Sequence, residues 1–186
     1  TIRAGAKAAK RGATLQDDFT WRFTVRPPRI VYLAPEDRLA RNLYLTDPAS
    51  GAVYQLTTSP DGVEDYAVSP NGDRIAYTQY SAGGTANIWL LELRTNTTRQ
   101  ITNCVDAMCS APAWKPDGTQ LAYQRQDYNT GMQTGLGLPR AWIVDLGTLQ
   151  TERLFADPQV RGQQPAWSPD GARLAVFDPN LPGLRI

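Results

Sequence analysis

Three stretches of this chain align residue for residue, and that repetition constrains the fold more than any other feature. Residues 66–77 read YAVSPNGDRIAY, residues 112–123 read PAWKPDGTQLAY and residues 165–176 read PAWSPDGARLAV. Gly72, Gly118 and Gly171 hold the same place in each, 46 and 53 residues apart. The shared Pro-(Asn/Asp)-Gly core has a local physical meaning. Pro70, Pro116 and Pro169 preset φ at the first central position of a turn. Asn71, Asp117 and Asp170 tolerate the second, and the three glycines accept φ > 0 without steric cost. Each motif therefore predicts a tight reversal between two strands. The strand before it carries an apolar anchor (Val68, Trp114 or Trp167). The strand after it is short and apolar: Ile75-Ala76-Tyr77, Leu121-Ala122-Tyr123, Leu174-Ala175-Val176.

Each unit continues alike. A polar loop leads to a third apolar strand, Ile88 to Leu93 or Ala141 to Leu146. Turn residues follow, then a short fourth strand ending in Gln100-Ile101-Thr102 or Arg153-Leu154-Phe155. Four strands recurring at roughly 40–50 residues per unit is the period of propeller blades. An incomplete unit comes first: Arg29 to Leu33, Asn42 to Asp47 and Val53 to Thr57 match the second, third and fourth strands, with Ile30 lying 45 residues before Ile75. After Phe177 only Gly183-Leu184-Arg185-Ile186 stands where a third strand begins. The predicted fold is all-β, a partial β-propeller of four-stranded antiparallel blades over residues 27–186, with about three and a half blade equivalents.

These motifs resemble the TolB-type, WD-like β-propeller repeats of bacterial envelope proteins. Gln164-Pro165-Ala166-Trp167-Ser168-Pro169-Asp170-Gly171 is the fullest match to that signature. Leu56-Thr57 and Ile101-Thr102 match its closing strand, while Val68 and Lys115 depart from the preferred Trp and Ser. The resemblance covers about residues 29–186 and implies architecture rather than activity. Residues 1–26 lie outside the repeat. Phe19, Trp21, Phe23 and Val25 alternate on one face, as in a half-buried strand, and Arg26-Pro27-Pro28 ends it as a stiff linker. That stretch resembles the last strands of a bacterial Ig-like sandwich. Because a closed propeller takes four to eight blades, the expectation is that this sequence belongs to a longer polypeptide.

Composition excludes several chemistries. Lysine and arginine total 19 against 18 acidic groups, so no overall pull toward nucleic acid exists. Histidine is absent, which removes His-based triads, His general bases and His metal ligands from this chain. No wholly apolar run approaches the ~20 residues of a membrane-spanning helix. G-x-S-x-G, P-loop and G-x-G-x-x-G motifs are missing too. Cys104 and Cys109 flank a four-residue loop. A local disulfide is the favoured reading, stabilising by about 2 kcal/mol and implying an oxidising compartment. A zinc site lacks two further ligands, and a reduced pair is the remaining alternative.

The acidic residues carry competing readings. Asp47, Glu92 and Asp145 end the third strands, as turn acceptors or as a cation-binding ring. Asp61, Glu64 and Asp65 form a solvated loop cluster or a calcium site. Trp89, Trp114, Trp142 and Trp167 read as inter-blade core before sugar-stacking platforms. The insert from Gln126 to Arg140 is either a recognition loop or a tolerated insertion. Together these observations predict no catalytic, cofactor or metal residue. They point to an extracytoplasmic interaction module that binds another protein, a peptide or a glycan of the cell envelope through a propeller face. A structural stalk or surface-layer role, and an accessory propeller of a larger peptidase, are the alternatives.

Overall fold

Alternation along the strands shows how the sheets stack. Ile75, Tyr77 and Leu91 face one way and join one buried cluster; Ala76, Ile88 and Leu90 face the other and join a second. A strand apolar on both faces is a middle layer, with a partner sheet on each side. The computed structural model describes residues 3–4, 6–7, 14, 16–20, 27–36, 40–128, 135–157, 159–178 and 184–186. The alternating strand predicted at residues 19–25 falls largely outside the described residues.

The strands come in chain order as β1 (Ile30–Ala34), β2 (Asn42–Thr46), β3 (Val53–Gln55), β4 (Val63–Val68), β5 (Arg74–Tyr80), β6 (Ala86–Glu92) and β7 (Thr97–Gln100). They continue as β8 (Ala107–Trp114), β9 (Gln120–Asp127), β10 (Arg140–Asp145), β11 (Thr151–Arg153), β12 (Gln163–Trp167), β13 (Leu174–Phe177) and β14 (Leu184–Arg185). No helix occurs among the described residues. The antiparallel meanders are β1-β2-β3, β4-β5-β6-β7, β8-β9-β10-β11 and β12-β13-β14. A single parallel pairing, Ala86 with Met108, joins the second and third into one eight-stranded sheet. The first and last strands of the series do not meet, so the arc is open.

The second meander is the middle layer. Its Val63, Ile75, Tyr77 and Leu91 pack with Leu43, Val31 and Leu33 of the first. Its Ala76, Ile88 and Leu90 pack with Trp114, Leu121, Tyr123 and Val144 of the third. Gly162, entering β12, lies so close to β10 that a Cβ there would stand 2.8 Å from the Cβ of Ala141. Only a residue without a side chain allows that approach.

The corners built by Pro-(Asn/Asp)-Gly are alike in detail. The N–H groups of Gly72, Gly118 and Gly171 donate to the carbonyls of Ser69, Lys115 and Ser168, each at 2.8 Å. All three glycines are left-handed, with φ of 72°, 72° and 68°. Asn71, Asp117 and Asp170 accept from the N–H two residues on, at 3.3, 2.9 and 3.0 Å. Asp117 and Asp170 are held below the usual carboxylate range, first by the hydroxyls of Thr119 and Ser168. Where Lys115 replaces serine, its ammonium pairs with Asp117 at 3.3 Å and lies over the Trp167 ring of the next meander.

The corners also touch one another. Arg74 donates from Nη2 to the carbonyl of Gly118 at 2.9 Å, and the Cβ position of Gly171 lies 3.4 Å from Pro116. Val68, expected to anchor its strand as the tryptophans do, instead leaves 41% of its surface exposed. It is too small to span the gap that Trp114 closes.

Candidate functional face

Antiparallel topology places the Pro-Gly corners at one end of the sheets and the loops 81–85 and 101–106, with Tyr128 and residues 135–139, at the other. The second end is where side chains outside the repeat pattern gather. Cys104 and Cys109 form a disulfide there, linking the exit from β7 to β8. Both are buried in the cluster between the second and third meanders. The insert after β9 closes through a Tyr128–Leu136 bridge, and Gly137 N–H donates to Asp127 at 2.7 Å. Residues 129–134 of that insert lie outside the described residues. Its base grips the neighbouring loops: Tyr128 N–H donates to Asp106 at 2.8 Å and its hydroxyl to the Gly84 carbonyl at 2.7 Å. Val105, Leu136 and Leu138 are exposed around it, at 66%, 38% and 44%.

The acidic residues behave as structural acceptors. Asp145 takes the N–H groups of Thr148 and Gly147 at 2.9 and 3.0 Å, and Thr148 donors hold its pKa low. Asp47 accepts from Ala49 N–H at 2.9 Å, which lowers its pKa likewise. Glu92 sits at the third matching strand end, where its backbone carbonyl accepts from Asn96 at 2.9 Å. Glu64 accepts from the Tyr80 hydroxyl at 2.6 Å. Burial, and then that contact, raise the phenol pKa. Asp61 is exposed. Among the described residues no group of three acidic or cysteine side chains is placed to hold a metal ion.

Asp65 has a role that sequence reasoning missed. The register slips at Val63/Tyr66, Ser110/Ala113 and Gln163/Ala166, giving β4, β8 and β12 a bulge within one residue of the same repeat position. Bulge residues Ala111 and Gln164 have φ of 54° and 46°. The Asp65 carboxylate reaches from β4 into the β8 bulge, accepting from Ala111 N–H at 2.8 Å and from the Thr78 hydroxyl. Burial holds its pKa above the usual carboxylate value, against those two donors.

A pH prediction follows from that geometry. A folded pKa above the unfolded one means the native state binds the proton more tightly. Asp65 therefore supports folding below the usual carboxylate pKa near 4. That support is lost as pH rises through the raised folded value. Asn at this position keeps both contacts, its oxygen accepting from Ala111 and its amide donating to Thr78, without a buried charge. Denaturant titrations of Asp65→Asn at pH 3–7 are expected to match the parent at the acid end and exceed it at pH 7. Asp65→Ala strands the Ala111 N–H and is expected to lose about 1–3 kcal/mol throughout. A parent that outlasts the Asn variant at pH 7 contradicts the assignment.

The tryptophans divide. Trp114 is buried between meanders and donates from Nε1 to the Ala67 carbonyl at 2.9 Å. Trp89, Trp142 and Trp167 are half-buried.

Comparison with known proteins agrees with this architecture. Dipeptidyl-peptidase 5 of Porphyromonas gingivalis is 24% identical over 135 residues, 67% of this chain but 19% of that protein. The chain thus spans about a fifth of the length of the curated relative it matches. TolB from Acinetobacter baumannii superimposes with a TM-score of 0.61 at 22% identity, covering 84% of this chain and 36% of that one. A TolB from Agrobacterium tumefaciens gives 0.65 at 17% identity, covering 82% and 52%. The family model described as the TolB beta propeller domain matches residues 22–180, and the chain belongs to that family.

Proposed function

We propose that this chain forms part of a non-catalytic interaction module that works outside the cytoplasm and binds a protein partner of the cell envelope through the loop-bearing end of its sheets. The observation that carries the reading is the insert base. Tyr128 is bonded to two neighbouring loops, and Val105, Leu136 and Leu138 stand exposed beside it. Exposed apolar side chains on a loop braced by rigid sheets are how propellers present binding surfaces. The buried Cys104–Cys109 bridge supports an oxidising location.

The test uses the protein at its natural length in its own cells. Photo-crosslinkers at Val105 and Leu138 are expected to trap a discrete envelope protein, while crosslinkers at the exposed corner residue Asn71 trap none. Val105→Asp with Leu138→Asp is expected to abolish the adduct at unchanged melting temperature. No adduct at either position overturns the reading.

A second reading has its own support in the dipeptidyl-peptidase match: the chain is the accessory propeller of a longer peptidase. Labelling of the natural-length protein by a fluorophosphonate probe favours that reading over the first.

A further inference from the structure

An open groove of about 330 Å³ runs between the first and second meanders, with Tyr77, Gln79, Trp89, Asn96, Thr98 and Thr58 among its lining. One meander further on the matching ring is covered by cations. There Trp142 stands in the place of Trp89, and two guanidinium groups of its own meander cover it, Arg125 at 5.4 Å and Arg153 at 5.3 Å from the ring centroid. The matching positions in the second meander hold Gln79 and Gln100. The Gln100 amide turns away to donate to the Thr102 carbonyl at 2.6 Å, as Gln55 does to Thr57 at 2.8 Å. Among the described residues no cation lies over Trp89. The repeat thus shows one Trp ring covered by two guanidinium groups of its own meander and a sister ring that faces an open groove.

The chemistry of the open groove selects a ligand class. None of the described residues lining it is charged. An ionic ligand would lose its hydration there without gaining a counter-charge. Amides and hydroxyls each offer both donors and acceptors, which suits ligand hydroxyls that do the same. An aromatic ring provides a flat surface for the C–H face of a ring-shaped ligand. The volume lies at the lower end of the roughly 300–1,000 Å³ of small-molecule sites. We propose that this groove binds a neutral saccharide, with one sugar ring on Trp89 and its hydroxyls bonded by Gln79, Asn96 and Thr98. This deepens the reading of the chain as a binding module, at a groove whose described lining does not include Val105, Leu136 or Leu138.

The test titrates the protein with neutral tetrasaccharides of N-acetylglucosamine, glucose and mannose, read by tryptophan fluorescence and calorimetry. Tetragalacturonate and an arginine-bearing peptide are the competing ligands. At least one neutral saccharide is expected to bind, at least tenfold more weakly to Trp89→Ala. The second variant, Gln79→Arg with Gln100→Arg, rebuilds the Trp142 clamp in the open groove. It is expected to keep the parent melting temperature and to lose binding by the same factor. Failure of every neutral saccharide to bind, binding of only the anionic sugar or the peptide, or undiminished binding by the double-arginine variant overturns the proposal. Crosslinking at Val105 and Leu138 reports on the protein partner independently of all these outcomes.

Discussion

Replacing Trp114 with alanine is expected to lower the free energy of unfolding by about 3–5 kcal/mol, the usual cost of deleting a buried aromatic side chain. The indole is buried in the cluster shared by the second and third meanders. It is 9% exposed, its Nε1–H donates across to Ala67, and the Arg74 guanidinium lies 4.7 Å from the ring centroid. Alanine opens a cavity between the two meanders, strands the Ala67 carbonyl and leaves Arg74 without its platform. Equilibrium urea unfolding measures the effect. Trp114→Phe separates the parts, because it keeps a ring and loses the hydrogen bond. Its expected loss is smaller, with roughly 0.5–1.5 kcal/mol from the bond alone. A loss below about 1 kcal/mol for the alanine variant would show that the sheets are not held by this ring.

The second large effect is expected from Gly118→Val, at about 2–4 kcal/mol, from a β-branched residue forced to φ > 0 and an added steric conflict. Gly118 sits at φ +72°, and a Cβ there would stand 3.0 Å from Arg74 Nη2. The Arg74 link to the Gly118 carbonyl is thus strained along with the corner. Gly72→Val is the internal control. That glycine has the same φ, but a Cβ there meets nothing within 4 Å. The difference between the two variants in melting temperature therefore measures the corner-to-corner link. Equal losses would place the whole effect in the backbone and remove Arg74 from the account.

What the sequence made legible is what local chemistry determines. Pro-Asp-Gly fixes a corner within five residues, and the two-residue alternation of Ile75, Ala76 and Tyr77 announces sheets packed on both faces. Four strands per unit follow from turn spacing. Long-range contacts were harder to read. Asn42 accepts from the Thr57 hydroxyl at 2.9 Å, and Asn87 from the Thr102 hydroxyl at 3.1 Å, tying the third strand to the end of the fourth. The threonines were visible in the closing motif. Their partners were signalled only by an asparagine at the start of each third strand, a sign that carries meaning once the pair is seen. In the third meander Arg140 and Phe155 occupy these positions, so no rule for all units was available.

The bulges at Asp65, Ala111 and Gln164 were invisible because the residues share no chemistry. What recurs is a slip in register, left-handed at Ala111 and Gln164 but not at Asp65, and one acidic residue spans to the neighbouring bulge. The single parallel pairing of Ala86 with Met108 depends on where the disulfide-bearing crossing sets down β8. Val68 showed the converse limit: an apolar residue in the right column is not buried when it is too short to reach its neighbour.

The Cys104–Cys109 bridge brackets the exposed Val105-Asp106 corner, where the main chain passes from the second meander to the third. A protease that nicks the chain between the two cysteines therefore produces halves that stay joined even when denatured, and only denaturation together with a reductant lets them separate. Gel mobility after digestion, with and without thiol, would report one molecule or two from the same cut.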